Sequence, residues 1–132
     1  DIGVIAVDSG WEIHIAGNGG IKVRVTDFFT KVETDEELFH YIKAIMQFYR
    51  EDAYYLERTA HWVERVGLEY VKDAILHDKE NRDACAKRFD ISQESAQVDP
   101  WEQSRKDGFT KEFSPIVIAP EQSESFEAKE II

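Results

Sequence analysis

A glycine-rich segment that runs into two cations is the part of this sequence best suited to chemistry. Backbone N–H groups of a glycine-rich turn can hold an anion, and neighbouring cations would balance its charge. The spacing matches neither the dinucleotide fingerprint nor the P-loop, so it predicts no nucleotide site. Taken alone, such a segment is more often a tight turn, and such cations more often lie on a solvated strand face. The candidate ligand-binding residues are Gly17, Asn18, Gly19, Gly20, Lys22 and Arg24.

The other reactive side chains indicate no self-contained active site. No two of the four histidines have the spacing of a metal-binding pair on one helix; they are His14, His40, His61 and His77. Cys85 is the only cysteine, which excludes an internal disulfide and a thiolate-held metal cluster built from this chain alone. A buried apolar role suits this cysteine better than a nucleophilic one. We therefore predict no catalytic residue and no metal ligand in the chain.

Length and composition are typical of one globular domain. The chain has 132 residues, of which 42% are hydrophobic and 33% charged. A net charge of -11 argues against a nucleic-acid partner, because phosphate binding needs a surplus of lysine and arginine. No apolar run approaches the roughly 20 residues that span a bilayer, and Asp1 opens into strand-like sequence without a leader. We therefore expect neither a membrane protein nor a secreted one, and the single cysteine favours the reducing cytoplasm.

The residues around the glycine segment predict a small, mostly antiparallel sheet. An apolar, β-branched run at residues 2–7 predicts a buried strand, and the DSG that follows predicts a hairpin turn. Residues 11–15 alternate strictly, which predicts a strand with one face buried and one face wet. Residues 21–26 alternate again and predict a third strand or an extended segment, whereas residues 27–32 form a connection of undetermined type.

Helical patterns fill most of the remaining sequence, so the predicted fold class is α+β, with the sheet followed by a helical segment. Thr34 and Glu37 have the capping-box spacing, and apolar residues recur every three or four positions as far as Leu56. This pattern predicts a helix of about twenty residues, whose wide apolar surface requires a second covering element. Three further helices are predicted at residues 59–67, 68–77 and 78–89, with Thr59 and Asp78 as caps.

The end of the sequence differs in character from the rest. Residues 92–98 are polar and predict a linker, after which Asp99, Pro100 and Glu102 signal the start of a short helix. The prolines that flank SPIVIAP at residues 114–120 predict an edge strand or an extended segment. The acidic composition from residue 121 onward predicts disorder.

Two stretches carry a resemblance to a known family. DIGVIAVDSGWEIHIAGNGGIKVR and FYREDAYYLERTAHWVERVGLEYVKD resemble the sirohaem nitrite and sulfite reductase family. The second stretch is similar to the large subunits of its assimilatory NAD(P)H-dependent nitrite reductases. The resemblance covers residues 1–78, and the later DPWEQ and EFSPI resemble the tail of some members.

The resemblance implies a function that the residues alone do not. It implies a six-electron reduction of nitrite to ammonia on sirohaem coupled to a 4Fe-4S cluster, with electrons arriving from NAD(P)H through FAD in upstream domains. In this family the cluster cysteines and the substrate-binding cations lie upstream of the segment that matches Asp1. The resemblance therefore implies a C-terminal fragment that is inactive alone and binds no cofactor by itself. It places the glycine segment, with Lys22 and Arg24, near the sirohaem and the cluster, and so implies that the six candidate residues bind the cofactor.

The implied organisation has residues 1–90 as the C-terminal part of the sirohaem and iron-sulfur domain and residues 91–132 as an extended C-terminal tail. The implied partners are the upstream domains of the same chain, a small subunit and the substrate nitrite. Two alternatives remain open. One is a sulfite reductase fragment, and the other is a non-catalytic helical interaction module, which a persistent apolar patch on the first helix would favour.

Overall fold

The computed structural model describes residues 1–107, in which a three-stranded antiparallel sheet precedes a series of helices. The sheet has the order β1-β2-β3, with β1 at Gly3–Val7, β2 at Gly10–Ile15 and β3 at Asp27–Val32. The helices are α1 at Asp35–Asp52, α2 at Thr59–Val66, α3 at Leu68–Ile75, α4 at Lys79–Glu94, a 3₁₀ turn at Ser95–Gln97 and α5 at Pro100–Asp107. The predicted α+β class is confirmed. No helix in residues 1–107 is long and apolar enough to cross a membrane.

The turn between β1 and β2 lies where it was predicted and depends on Gly10. Val7 pairs with Gly10, which leaves Asp8 and Ser9 as a two-residue loop. The φ of Gly10 is 135°, a value that L side chains rarely adopt. A Cβ at this position would lie 2.1 Å from the carbonyl oxygen of Val32. The close passage of β2 and β3 therefore requires glycine here.

The prediction that the first strand is buried is wrong. β1 pairs with β2 on one side only. Among the described residues no strand pairs with its other side, so β1 is an edge strand of the sheet. Val4 and Ile5 are 40% and 50% exposed as a result. An apolar, β-branched run indicates a strand, but only the neighbouring elements decide how deeply that strand is buried.

The third strand is β3 rather than the predicted residues 21–26. β3 pairs with β2 in antiparallel register and places Phe29 and Val32 in the core, where they are 1% and 4% exposed. The predicted stretch instead carries three exposed aliphatic side chains, Ile21, Val23 and Val25. Both stretches have strand-like composition. Residues 27–32 pair with β2 because they can bury large side chains in the core, whereas residues 21–26 cannot.

α1 begins as predicted. The hydroxyl of Thr34 accepts a hydrogen bond from the backbone N–H of Glu37 at 3.2 Å. The Glu37 carboxylate accepts in return from the N–H of Glu33 at 3.1 Å, one residue before the capping-box position. The helix ends at Asp52, before the predicted Leu56. Leu56 has a φ of 62°, which no helix accommodates, and its side chain is 83% exposed.

The wide apolar surface of α1 is covered only in part by the described residues. The ring of Phe48 packs against Trp62 of α2 and Tyr70 of α3, with centroid separations of 5.7 and 5.8 Å. Phe39 and Met46 remain 60% and 39% exposed. α2 and α3 are therefore the predicted covering elements, but they cover only the side of α1 that carries Phe48.

The three helices after α1 occur in the predicted order with shifted ends. Arg58 occupies the N-cap of α2, so the prediction of Thr59 as that cap is wrong. Asp78 caps α4 as predicted and accepts from the N–H of Asn81 at 2.9 Å. α4 runs to Glu94, beyond the predicted end at Phe89 and into the predicted linker. Contacts with α1 continue along this extension, because Nζ of Lys43 lies 2.7 Å from the Asp90 carboxylate and Nη1 of Arg50 donates to the Ser92 hydroxyl at 2.9 Å.

The last described helix, α5, has the predicted start. The Asp99 carboxylate accepts a hydrogen bond from the N–H of Trp101 at 2.9 Å, and Pro100 is the first helical residue. The strand predicted at residues 114–120 and the disorder predicted from residue 121 lie outside the described residues.

Candidate functional site

The six candidate residues lie in the connection from β2 to β3, within a segment that we call the glycine loop (residues 17–24). Ala16 precedes it in the left-handed region, with φ of 64°, and turns the chain away from β2. Asn18 and Arg24 then exchange two backbone hydrogen bonds of 3.0 and 2.9 Å. This isolated bridge closes residues 19–23 into a defined turn.

Only one glycine of the loop is required by its surroundings. A Cβ at Gly17 would lie 2.6 Å from the Cγ2 methyl of Thr26, which is too close for any larger residue. At Gly19 a Cβ would meet no atom within 4 Å. The positive-φ glycines of the described chain are Gly10 and Gly67, so the loop glycines are not in that conformation. Glycine is also suited to positions where another group comes close to the backbone. Gly17 is such a position, because the Thr26 methyl group lies against it.

The side chain of Asn18 fixes the tip of the turn. Its Nδ2 donates to the carbonyl oxygen of Lys22 at 2.8 Å, and its Oδ1 accepts from the N–H of Gly20 at 3.3 Å. This pattern is the local side-chain to backbone bonding that asparagine makes in turns. The N–H of Gly20 is therefore already paired within the loop, which reduces the number of donors left for an anion.

Arg24 is directed against the protein. Its Nη1 donates to the carbonyl oxygens of Ala16 at 3.0 Å and Val25 at 3.3 Å, and its Nη2 donates to the Asp27 carboxylate at 2.7 Å. Its Nε lies 3.3 Å from Oε1 of Glu64 on α2. The side chain is 23% exposed. Every nitrogen of the guanidinium thus has an oxygen partner inside the chain.

Lys22 differs sharply from Arg24 in its environment. Its side chain is 74% exposed, and its Nζ lies 3.7 Å from Oε2 of Glu64. This separation exceeds hydrogen-bond length, and an exposed ion pair of this kind contributes about 0–1 kcal/mol. Lys22 is therefore the cation of the loop that a ligand can reach at little cost.

Sequence reasoning missed Asp27 and Glu64, the two carboxylates that hold the cations of the loop. Asp27 lies three residues after Arg24, but it belongs to a stretch that had no predicted structure. Glu64 follows the buried pair Trp62 and Val63 of α2, and no local pattern connects it with a loop forty residues earlier. Its proximity arises only from tertiary packing, in which Trp62 of the same helix lies against Phe48 and Tyr49 of α1.

Exposed apolar side chains accompany the exposed cation. Ile21, Val23 and Val25 are 109%, 75% and 83% exposed, and they lie on both sides of Lys22 and Arg24 in the chain. Exposed aliphatic side chains and an exposed ammonium group within one loop suit a ligand with an apolar body and an anionic edge. The loop therefore has the surface chemistry of one wall of a site for an amphipathic anion.

The remaining titratable residues of the described part of the chain form no metal site. Residues 1–107 contain no group of three or more His, Cys, Asp or Glu side chains that could hold a metal ion. His40 contacts the Asp83 carboxylate at 2.7 Å, and His14 contacts that of Glu12 at 3.3 Å. Cys85 is fully buried, and burial raises the pKa of its thiol, so it remains protonated and unreactive.

Comparison with known proteins gives a family match over most of the chain. The family model described as the nitrite and sulphite reductase 4Fe-4S domain matches residues 1–82, which include the glycine loop and Glu64. No solved structure matches the chain.

Several curated relatives are similar over a longer or shorter part of the chain. A nitrite reductase [NAD(P)H] of Bacillus subtilis is 44% identical over 107 residues, which are 81% of this chain and 13% of the relative. The nitrite reductase (NADH) large subunit of Escherichia coli is 40% identical over 81 residues, 60% of this chain and 10% of the relative. An assimilatory-type sulfite reductase of Nitratidesulfovibrio vulgaris is 29% identical over 76 residues, 58% of this chain and 35% of the relative. The chain thus spans about an eighth or less of the nitrite reductases named here.

Proposed function

Because the chain belongs to the nitrite and sulphite reductase 4Fe-4S domain family, we propose that it is the C-terminal part of the large subunit of a sirohaem-dependent nitrite reductase. The observation that carries the proposal is the family match over residues 1–82. The higher identity to nitrite reductases than to the sulfite reductase favours nitrite as the substrate. In this proposal residues 1–90 complete the reductase domain, and residues 91–132 form its C-terminal extension.

The proposed activity of the full-length protein is the six-electron reduction of nitrite to ammonia. When bound, sirohaem and the 4Fe-4S cluster supply the electron-transfer chemistry, with electrons from NAD(P)H delivered through FAD in upstream domains. The proposed partners are those upstream domains and a small subunit. This chain contributes the wall of a binding site to that activity rather than the reacting groups.

The residues of this chain do not fit a 4Fe-4S cluster. Such a cluster takes four thiolates, whereas the chain has one cysteine, Cys85, which is fully buried with its Sγ 3.3 Å from Nη2 of Arg88. We therefore propose that the cluster ligands lie in another part of the longer protein, and that the isolated chain has no nitrite reductase activity.

The glycine loop does fit one edge of a carboxylated macrocycle. Lys22 offers an exposed ammonium group for a carboxylate, and the open space at Gly19 permits close approach to the backbone. Ile21 and Val23 offer apolar surface to the ring. In this proposal the loop binds and orients the macrocycle and shields that edge from water, while Asn18 and Arg24 hold the loop in shape.

Reconstitution tests whether the isolated chain is inactive. The 132-residue chain is incubated with sirohaem, ferrous iron and sulfide, and its absorbance spectrum and nitrite turnover are recorded. We expect no cluster absorbance and no turnover. A stable cluster or measurable ammonia formation by this chain alone would show that the missing ligands are not required.

The full-length protein tests the substrate. NAD(P)H oxidation is followed with nitrite and with sulfite under identical conditions, and ammonia and sulfide are quantified. We expect the higher kcat/KM for nitrite. A preference for sulfite would establish the alternative, a sulfite reductase.

A second candidate function is a non-catalytic interaction module. It is favoured by Phe39 and Met46, which remain exposed on α1. Replacing both with glutamate in the full-length protein distinguishes the candidates. We expect nitrite turnover to survive this change if the chain belongs to the catalytic domain, and binding of the small subunit to be lost if α1 is a docking face.

A further inference from the structure

We propose that Glu64 is the positioning residue of the glycine loop, and that it yields Lys22 to a carboxylate of the bound tetrapyrrole while Arg24 stays bound to the protein. This inference rests on the proposed function, because it concerns the same ligand. The two cations of the loop then have different roles: Arg24 holds the loop in shape, and Lys22 binds the ligand.

Arg24 is the cation that holds the loop. Its guanidinium joins Ala16 at the end of β2, Asp27 at the start of β3 and Glu64 on α2. Hydrogen bonds to charged groups are among the strongest that a side chain makes, and a ligand would have to replace several of them together. A ligand carboxylate therefore leaves Arg24 in place.

Lys22 is the cation that binds. Its single charged partner in the described chain is Glu64, at a distance of 3.7 Å, and three quarters of its side chain is in solvent. The carbonyl oxygen of Lys22 is held by Asn18 at 2.8 Å, so the backbone stays fixed while the side chain moves. An anion can take over the ammonium group without disturbing the turn.

Glu64 connects the two cations through different oxygens. Its Oε1 faces Nε of Arg24 at 3.3 Å, and its Oε2 faces Nζ of Lys22 at 3.7 Å. A ligand carboxylate competes with Glu64 for the ammonium group of Lys22, and Glu64 keeps its contact with Arg24 when the ligand binds. Glu64 therefore opposes single carboxylates, and a ligand that also covers Ile21 and Val23 overcomes this opposition through apolar contact.

The test uses sirohaem retention by the full-length reductase that contains this chain. The purified holoenzyme is mixed with an excess of a haem-scavenging protein, and the release of sirohaem is followed by absorbance. The variants are Glu64→Gln, Lys22→Gln, both together, and Glu69→Gln as a matched control. Glu69 lies on α3, is 80% exposed and contacts Lys72 at 3.9 Å, so its change removes the same charge away from the loop.

The expected effects have opposite signs. One unit charge acting through water at about 4 Å changes a rate by about fivefold. Glu64→Gln should therefore release sirohaem about fivefold more slowly than the parent, and Lys22→Gln about fivefold faster. The double variant should behave as Lys22→Gln does, because Glu64 acts through Lys22. A residue with only a structural role would speed release when it is replaced, so slower release distinguishes the two roles.

Several results would overturn the inference. Sirohaem release from Glu64→Gln at the parent rate or faster contradicts it. Slower release that persists when Lys22 is also replaced contradicts it too, because that effect would come from the change in net charge. If Glu64→Gln does not accumulate, Glu64→Asp replaces it: the shorter side chain draws the carboxylate back from Lys22, so slower release is again expected, and release at the parent rate or faster contradicts the inference. A full-length protein that contains no sirohaem refutes the proposed function, whereas a loaded protein insensitive to these changes refutes only this inference.

Discussion

Asp52 joins the end of α1 to both following helices, and its replacement gives the sharpest test of the packing around the core. Its Oδ2 accepts a hydrogen bond from the indole N–H of Trp62 at 2.7 Å, and its Oδ1 accepts from the hydroxyl of Tyr70 at 2.9 Å. A carboxylate at the C-terminal end of a helix opposes the helix dipole. These two bonds explain why an acidic residue is tolerated there.

The cost of Asp52→Ala follows from these contacts. Hydrogen bonds to a charged acceptor are worth about 1.5–3 kcal/mol each. The Trp62 side chain is 1% exposed, so its N–H would lose its acceptor in a buried position and contribute the upper value. Tyr70 is 45% exposed and can turn to water, so its bond contributes about 1 kcal/mol or less. Removing the carboxylate also removes its unfavourable interaction with the helix dipole, which restores about 0.5 kcal/mol. The net loss in the free energy of unfolding is then about 3 kcal/mol.

Urea denaturation followed by circular dichroism measures this loss. The expected order of destabilisation is Tyr70→Phe, then Asp52→Asn, which keeps one acceptor oxygen, then Asp52→Ala. Asp73→Ala removes an exposed carboxylate from α3 and should change stability by no more than about 0.5 kcal/mol. If Asp52→Ala costs no more than Tyr70→Phe, the Trp62 bond has no energetic weight and the reasoning is refuted.

Three further predictions concern other parts of the chain. The hydrogen bond from Arg65 lowers the pKa of Glu57 to about 2, so the stability that Glu57 adds is present above pH 4.5 and is lost as the pH falls toward 2; pH-dependent melting of the parent and of Glu57→Gln should converge there. Gly17→Ala should cost about 1–3 kcal/mol through its clash with the Thr26 methyl group, and Thr26→Ser should restore most of the loss in thermal melting of the double variant. Cys85 should react with iodoacetamide only at the rate of unfolding, because burial raises the pKa of its thiol; fast labelling of the native chain, measured by mass, would contradict its burial.

Local signals in the sequence predicted the elements that depend on neighbouring residues. Thr34, Asp78 and Asp99 each cap a helix as expected, because a cap needs only a side-chain oxygen and an N–H two or three residues away. The hairpin between β1 and β2 was equally predictable, since its turn residues and alternation are contiguous. These elements were sufficient to establish the α+β class.

Local signals failed where burial and pairing decide the outcome. Residues 21–26 alternate as regularly as a strand, yet they lie in the exposed turn while β3 pairs with β2. Thr59 had the type of a cap but lies inside α2, where its hydroxyl is buried without a hydrogen-bond partner. In both cases more than one stretch or residue satisfied the local pattern. Packing against the core decided which stretch paired with β2 and where α2 begins.

The sequence by itself determined the composition of the glycine loop, its place directly after the strand at residues 11–15, and the resemblance that identifies its family. Only the tertiary structure separated Lys22 from Arg24, which look alike in a strand pattern but differ in exposure, 74% against 23%. The separation depends on Glu64, whose position beside the loop follows from the packing of Trp62 of α2 against α1. Long-range proximity of this kind has no period or motif in a single sequence, because it arises when distant apolar surfaces are buried together.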